Sequence, residues 1–188
     1  MPKVIDSPDQ FTVIGENIHA TRVVKRGGVR GHVFEDGKEA IKYKLYGERK
    51  FVHIPEHFTI TQPYEQGTLK HFQIAMWMGA NGDADQAASG KAYIKYEIDR
   101  QTRTGSHYLD LNVDESSYRL HEQKATMEWL VKFVESESTV PPSVDSSNPE
   151  IIEVGLAAYG GGQGRPMLNS IALERPEAID MALKYNAR

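Results

Sequence analysis

Apolar residues along this chain follow two rhythms, short β-branched runs and longer stretches at helical spacing, and they alternate. Phe11-Thr12-Val13-Ile14 reads as a buried strand running into Gly15-Glu16-Asn17-Ile18-His19-Ala20-Thr21-Arg22, where polar groups crowd the strand's end. From Val23 to Phe58 the texture changes. Lys25-Arg26-Gly27-Gly28 is a loop, and Asp36-Gly37 between His32-Val33-Phe34 and Ala40-Ile41-Lys42-Tyr43 predicts a small hairpin. Leu69, Phe72 and Met76 then take helical spacing within residues 65–78. Asp83 is placed to cap a second helix from Ala84 to about Arg103, with Ala87, Ile94 and Ile98 on its inner side. Gly105 separates that helix from a strand over 108–113, which carries Asp110 and Asn112 on alternate positions near its end. Met127, Leu130, Val131 and Val134 stand at i, i+3, i+4 and i+7 and predict a helix over 117–137.

Residues 140–174 repeat the scheme. Pro142 to Val144 is a short extended run left through Asp145, and Asn148 can cap a helix whose first position is Pro149. Ile152, Leu156 and Tyr159 give the helix its apolar face, and Gly160-Gly161-Gly162 ends it. Met167-Leu168 and Ile171-Ala172-Leu173 form the next buried run, interrupted by Asn169 and Ser170, and Pro176 starts a last helix with Ile179, Ala182 and Leu183 inward. Four βα units feeding a parallel sheet are the grammar of an α/β protein of the TIM (β/α)8-barrel type. A full barrel needs roughly 250 residues. The expectation is therefore one partial barrel domain over 1–188, about the first four units, with residues 22–82 inserted after strand one. A doubly wound open sheet suits the strand count, but its Gly-rich fingerprint after the first strand is missing.

Composition narrows the partners. The 188 residues are 39% hydrophobic, enough for a core, and 22 basic against 26 acidic residues give a net charge of -4. That balance makes no case for nucleic acid or an anionic membrane surface. No apolar run approaches a membrane span, and MPKVIDSPDQ lacks the apolar core of a signal peptide. With no cysteine, disulfides and thiolate chemistry are excluded, which fits a cytoplasmic protein.

In barrels the C-terminal ends of the strands carry the chemistry, so Glu16, Asn17, His19, Asp110, Asn112, Asp145, Asn169 and Ser170 are expected to point toward one mouth. The competing reading is local: each could cap a helix or tie a βα turn. As a set they suit a ligand rich in N–H donors and ring nitrogens more than a phosphate, because carboxylates accept paired N–H bonds and amides both donate and accept. The glycines at 160–164 follow a helix and precede a strand, the wrong side for a phosphate loop, and read as a turn. His53, His57 and His71 have no zinc-like spacing and are expected to be packed or exposed, and no metal site is expected.

Four segments resemble the pterin-binding barrel family, which contains the methyltetrahydrofolate-dependent methyltransferases, the folate module of cobalamin-dependent methionine synthase and dihydropteroate synthase. FTVIGENIHAT at 11–21 is similar to the first-strand pattern Ile-Gly-Glu-Arg-Ile-Asn, LDLNV at 109–113 to the second strand, VPPSVDSSNPE at 140–150 to the third, and MLNSIALE at 167–174 to the fourth. The resemblance implies that Asp145 and Asn169 hydrogen-bond the pterin ring, with Asn112, Ser170, Glu16 and Asn17 in the same pocket. It makes Asp110 and His19 the candidates for acid catalysis at N5. The implied reaction moves a methyl group from a reduced pterin such as methyltetrahydrofolate to a corrinoid (cobalamin) on a partner protein. Asn17 stands where the family usually has Arg, and His19 where it has Asn. The Thr-Pro-Asp-Ser-Phe stretch of dihydropteroate synthase is absent, leaving the synthase as a weaker alternative, and strands five to eight have no counterpart here. The remaining alternative is a non-catalytic or split half-barrel that pairs with itself, as a homo-oligomer, or with a separate C-terminal half.

Overall fold

A computed structural model describes residues 11–169, 171 and 176–188. Its centre is a parallel sheet of four strands, β1 (Ile14–His19), β7 (Tyr108–Asn112), β8 (Pro142–Asp145) and β9 (Met167–Leu168), lying side by side in that order. The helices that follow them are α3 (Ala84–Arg103), α4 (Leu120–Glu137), α5 (Pro149–Ala158) and α6 (Glu177–Lys184). Sequential parallel strands separated by helices make a mixed α/β fold consistent with part of a TIM-type barrel wall, as expected. Arg188 lies beside β9, its N–H bonded to Pro166 O and its carbonyl to Leu168 N, both at 2.9 Å.

The two faces of the sheet differ because side chains alternate along a strand. Leu109, Leu111 and Val144 are fully buried with Ile94 of α3 and Met127, Leu130 and Val131 of α4 in one core. On α5 a Cβ at Gly155 would stand 2.6 Å from Val144 and 3.0 Å from Met127, so a glycine is what lets that helix lie against β8. Asp110, Asn112, Ser143 and Asp145 fall on the opposite alternation, paired across β7 and β8 as Asp110 with Ser143 and Asn112 with Asp145.

Helix starts follow the predicted chemistry. Asp83 caps α3 in a reciprocal box with Gln86, and Asn148 caps α5 by accepting the Glu150 N–H at 2.9 Å. The glycine turn after α5 wraps a carboxylate of its own chain: Gly160 and Gly162 N–H donate to Glu135 at 2.8 and 3.0 Å. That occupancy agrees with the turn reading.

Residues 22–82 build β2 (Val23–Lys25), β3 (Gly31–Val33), β4 (Glu39–Leu45), β5 (Glu48–His53), α1 (Gln62–Glu65), β6 (Thr68–Lys70) and α2 (His71–Asn81). The predicted hairpin is there as β3 and β4, joined through Gly37 at φ +82°, and β5 adds a third antiparallel strand. Five expectations need correction. The first strand runs over Ile14–His19 and not over 11–14, with Phe11 and Val13 exposed and regular pairing to β7 beginning only at Ile14. Leu69 belongs to β6, paired with Val24, and the helix begins only at His71. Helix α4 starts at Leu120 rather than 117, because the Ser117 hydroxyl takes the Arg119 N–H and holds a turn there. Tyr159 falls just beyond α5. In α6 the buried residue is Ala178, while Ile179 and Leu183 are exposed. Of the run predicted after β9, Ile171 is half exposed, and Ser170 and 172–175 lie outside the described residues.

Candidate functional site

At the C-terminal end of the sheet the register lines up His19, Asn112 and Asp145 across three strands, and Asn169 follows directly as its N–H bonds Val144 O at 3.0 Å. Four strand ends thus deliver four polar side chains to one edge. The bonds among them are specific. Asn112 Nδ2 donates to Asp145 Oδ2 at 2.8 Å, and Asn169 Nδ2 donates to Asp110 Oδ1 at 2.8 Å. His19 Nε2 lies 3.6 Å from Asp145 Oδ2, while its Nδ1 meets the Thr21 hydroxyl at 2.7 Å and the Thr21 N–H at 3.4 Å. An acceptor role for Nδ1 toward that N–H leaves the ring proton on Nε2, facing the carboxylate.

Asp110 is 2% exposed. Burial pushes its carboxyl above the ordinary carboxylate range, the bond from Asn169 pulls it back, and the nearby Asp145 charge raises it again. The hydroxyl of Ser143, its fully buried neighbour in register, draws the carboxyl down in turn, although that contact falls outside ordinary hydrogen-bond geometry. Asn112 is engaged at both ends, since its Oδ1 accepts the Asp114 N–H at 3.0 Å. It holds Asp145 and the start of the next loop in place, so the structure makes it a clamp.

His19, Asp110 and Asp145 each offer a ligand-type atom within 4.8 Å of the others, a donor set that could hold a cation. Both carboxylates also accept amide hydrogens, so the same atoms form a hydrogen-bonding edge.

Glu16 and Asn17 separate from this row. Glu16 is exposed and pairs with Arg22, whose Nε also donates to the Glu16 carbonyl at 3.0 Å. Asn17 sits in an irregularity of β1 between Gly15 and Ile18, its N–H taken by Gln101 Oε1 of α3 at 3.0 Å. Ser170 lies outside the described residues. His53 stacks on Phe34, His57 packs on Trp77, and His71 is buried with Nδ1 2.9 Å from the Tyr93 hydroxyl. The sequence reading passed over Asp114, whose carboxylate binds the Ser146 hydroxyl and the Ser147 N–H, joining the loops after β7 and β8. It also passed over Thr21 and Gln101. An Asp two residues past a polar strand end and a hydroxyl two past a histidine were the available signals.

Residues 88–188 match the family model described as pterin binding enzyme. The match takes in β7, β8 and β9, three of the four strands whose ends form the row.

Proposed function

This chain belongs to the pterin-binding enzyme family, and on that premise we propose that it binds a reduced pterin at the row of strand ends and serves methyl transfer from methyltetrahydrofolate or a related pterin. The observation that carries the reading is the paired support of Asp145 by Asn112 and of Asn169 by Asp110. Because the Asn169 amide nitrogen is spent on Asp110, its oxygen is left as an acceptor, and a carboxylate stands on the adjacent strand. Two acceptors side by side suit the N–H-bearing edge of a pterin ring. The local alternative is weakened for Asp145, since the cap of α5 is Asn148.

In this reading the two residues fix the ring so that the N5 methyl is presented in line to an acceptor. With a low-valent corrinoid on a partner protein as the acceptor, Asp145 and Asn169 would hold the ring while the methyl leaves. The corrinoid would supply the electron pair for the new bond and the pterin would keep the C–N pair. N5 then takes up a proton. Asp110, held toward its neutral form, is the proposed source, with His19 as the alternative.

The test is calorimetric titration of methyltetrahydrofolate beside thermal melts. Asp145→Asn and Asn169→Ala are each expected to cost roughly 1–3 kcal/mol of binding with little change in melting temperature. Unchanged affinity with lowered stability in both variants would mean that the residues only tie down their turns.

Exposed apolar residues support a second proposal, that copies of this chain associate. Phe11 and Val13 stand open beside β1, and Ile179 and Leu183 on α6. Parallel sheets are ordinarily covered on both faces and at their edges. Sedimentation should show association at micromolar concentration, and a compact monomer throughout that range would contradict it.

A further inference from the structure

Both tryptophans of the chain, Trp77 and Trp129, line one cleft of about 390 Å³ between α2 and α4, whose lining shares no residue with the row of strand ends. Such a volume is ordinary for a small-molecule site. The indoles are braced before any ligand arrives: Trp129 stacks on Phe133 with centroids 5.5 Å apart, and Trp77 packs on His57 at 4.2 Å. A Cβ on Gly79 would fall 2.4 Å from the Trp129 ring, so only a glycine at that turn of α2 admits the indole where it stands.

The cleft also carries an unmet polar group. Ser116 lines it from the loop between β7 and α4, and its buried hydroxyl has no hydrogen-bond partner. Leaving such a bond unmade is costly and calls for an explanation. The loop backbone is held, for Gln73 binds Glu115 O at 2.7 Å and Gln123 binds Asp114 O and Ser117 O at 2.5 and 2.9 Å, which leaves the hydroxyl only its own side-chain rotation with which to meet a partner. Asn81 and Thr126 add further polar groups to the lining. The carboxylate present, Glu122, is matched by Arg119 at 2.9 Å and by the Ser117 hydroxyl at 2.5 Å, so it offers little unbalanced charge.

Indole walls, an unpartnered hydroxyl on a held loop and a balanced charge select a flat, neutral ring with a hydrogen-bonding edge. The geometry points to this cleft as a second ligand site, one that takes a small planar aromatic carrying an amide or comparable polar group and is independent of the pterin-binding row. Preorganised walls and a fixed loop mean that little ordering is needed on binding.

Titration of the full chain with benzamide tests it, with tryptophan emission and calorimetry as readouts, because both fluorophores line the cleft. A saturable emission change is expected, weakened about tenfold in Ser116→Ala, a loss of about 1.4 kcal/mol. Ala125, exposed on the lining, offers a plug: Ala125→Phe should abolish binding while the melt stays cooperative, and Ala80→Phe from the facing helix serves the same purpose if the first variant does not fold. Cyclohexanecarboxamide, of similar polarity but not flat, should bind at least about tenfold more weakly. Asp145→Asn should leave benzamide binding unchanged, which separates failure here from failure of the pterin reading. The inference is overturned if benzamide gives no saturable change up to millimolar concentration, or binds equally well to the plugged variants or to Asp145→Asn only weakly.

Discussion

Asp110 and Asn112 sit two positions apart on one strand and are both buried, yet they do different work. Asn112 spends both ends of its amide on Asp145 and Asp114, whereas Asp110 keeps one bonded oxygen and a carboxyl pushed upward by burial. A carboxyl raised in the folded state binds its proton more tightly there than in the unfolded chain. Its contribution to stability is therefore complete below the ordinary carboxylate range and is lost as pH rises through the folded value. Asp110→Asn keeps an acceptor for Asn169 and removes the ionisation. The variant should match the native chain at the acid end and exceed it by about 1 kcal/mol at neutral pH, the order of a buried desolvation cost. Urea unfolding at several pH values reads this directly. A constant difference across pH would show that Asp110 does not titrate in that window.

One local device sets the geometry of the first strand. Gly15 leaves room for Gln101, whose oxygen takes the orphaned Asn17 N–H where β1 departs from regular pairing, and a Cβ there would stand 2.6 Å from that oxygen. Gly15→Ala should cost roughly 1–3 kcal/mol by displacing Gln101. Adding Gln101→Ala should cost less than the sum of the two single changes, because the clash and the lost bond are one event. Additive losses in denaturant titrations would contradict this. The device also shows what periodicity could reveal. Caps, the hairpin at Asp36-Gly37 and the helices α3 to α5 were legible because each depends on neighbours in sequence. The polar strand ends were legible for the same reason, through alternation and position. Partners far along the chain were not, and so Asn112's engagement, Asp114's tie and Gln101's reach stayed hidden. Strand β5 escaped because its turn uses Tyr46, at φ +50°, before Gly47, where Asn-Gly would have announced a hairpin. Leu69 fitted a helical period by chance, three residues before Phe72, although it ends up in a strand. In α6 the inward side had to be inferred from apolar spacing alone, and the small Ala178 won the buried place.

Across the whole molecule residues 22–82 are fastened to helix α3 by a partly buried polar chain. His71 reaches the Tyr93 hydroxyl, which also receives Arg30, and Arg30 stands 3.9 Å from the buried Glu97, itself paired with Arg100 at 2.7 Å. Burial, reinforced by the charges of Arg30 and Arg22, pushes His71 down to about 3. The folded chain thus holds this ring neutral while the unfolded chain protonates it near its usual value of about 6.5. Stability linked to His71 is full above that value and is lost as pH falls toward the folded one. Between pH 7 and pH 5 the loss should be about 2 kcal/mol. His71→Gln replaces the ring by an amide that can still meet Tyr93 and has nothing to protonate. Its unfolding free energy should fall by about 2 kcal/mol less than that of the native chain over the same interval. Because His71 opens α2 and Arg30 precedes β3, the acid loss should appear first as release of the antiparallel strands, seen as faster amide exchange in β3 to β5 while β7 and β8 stay protected. Uniform loss of protection, or parallel pH profiles for the two proteins, would show that β3 to β5 are held by the apolar contacts of Ile41 and Val52 and not by this polar chain.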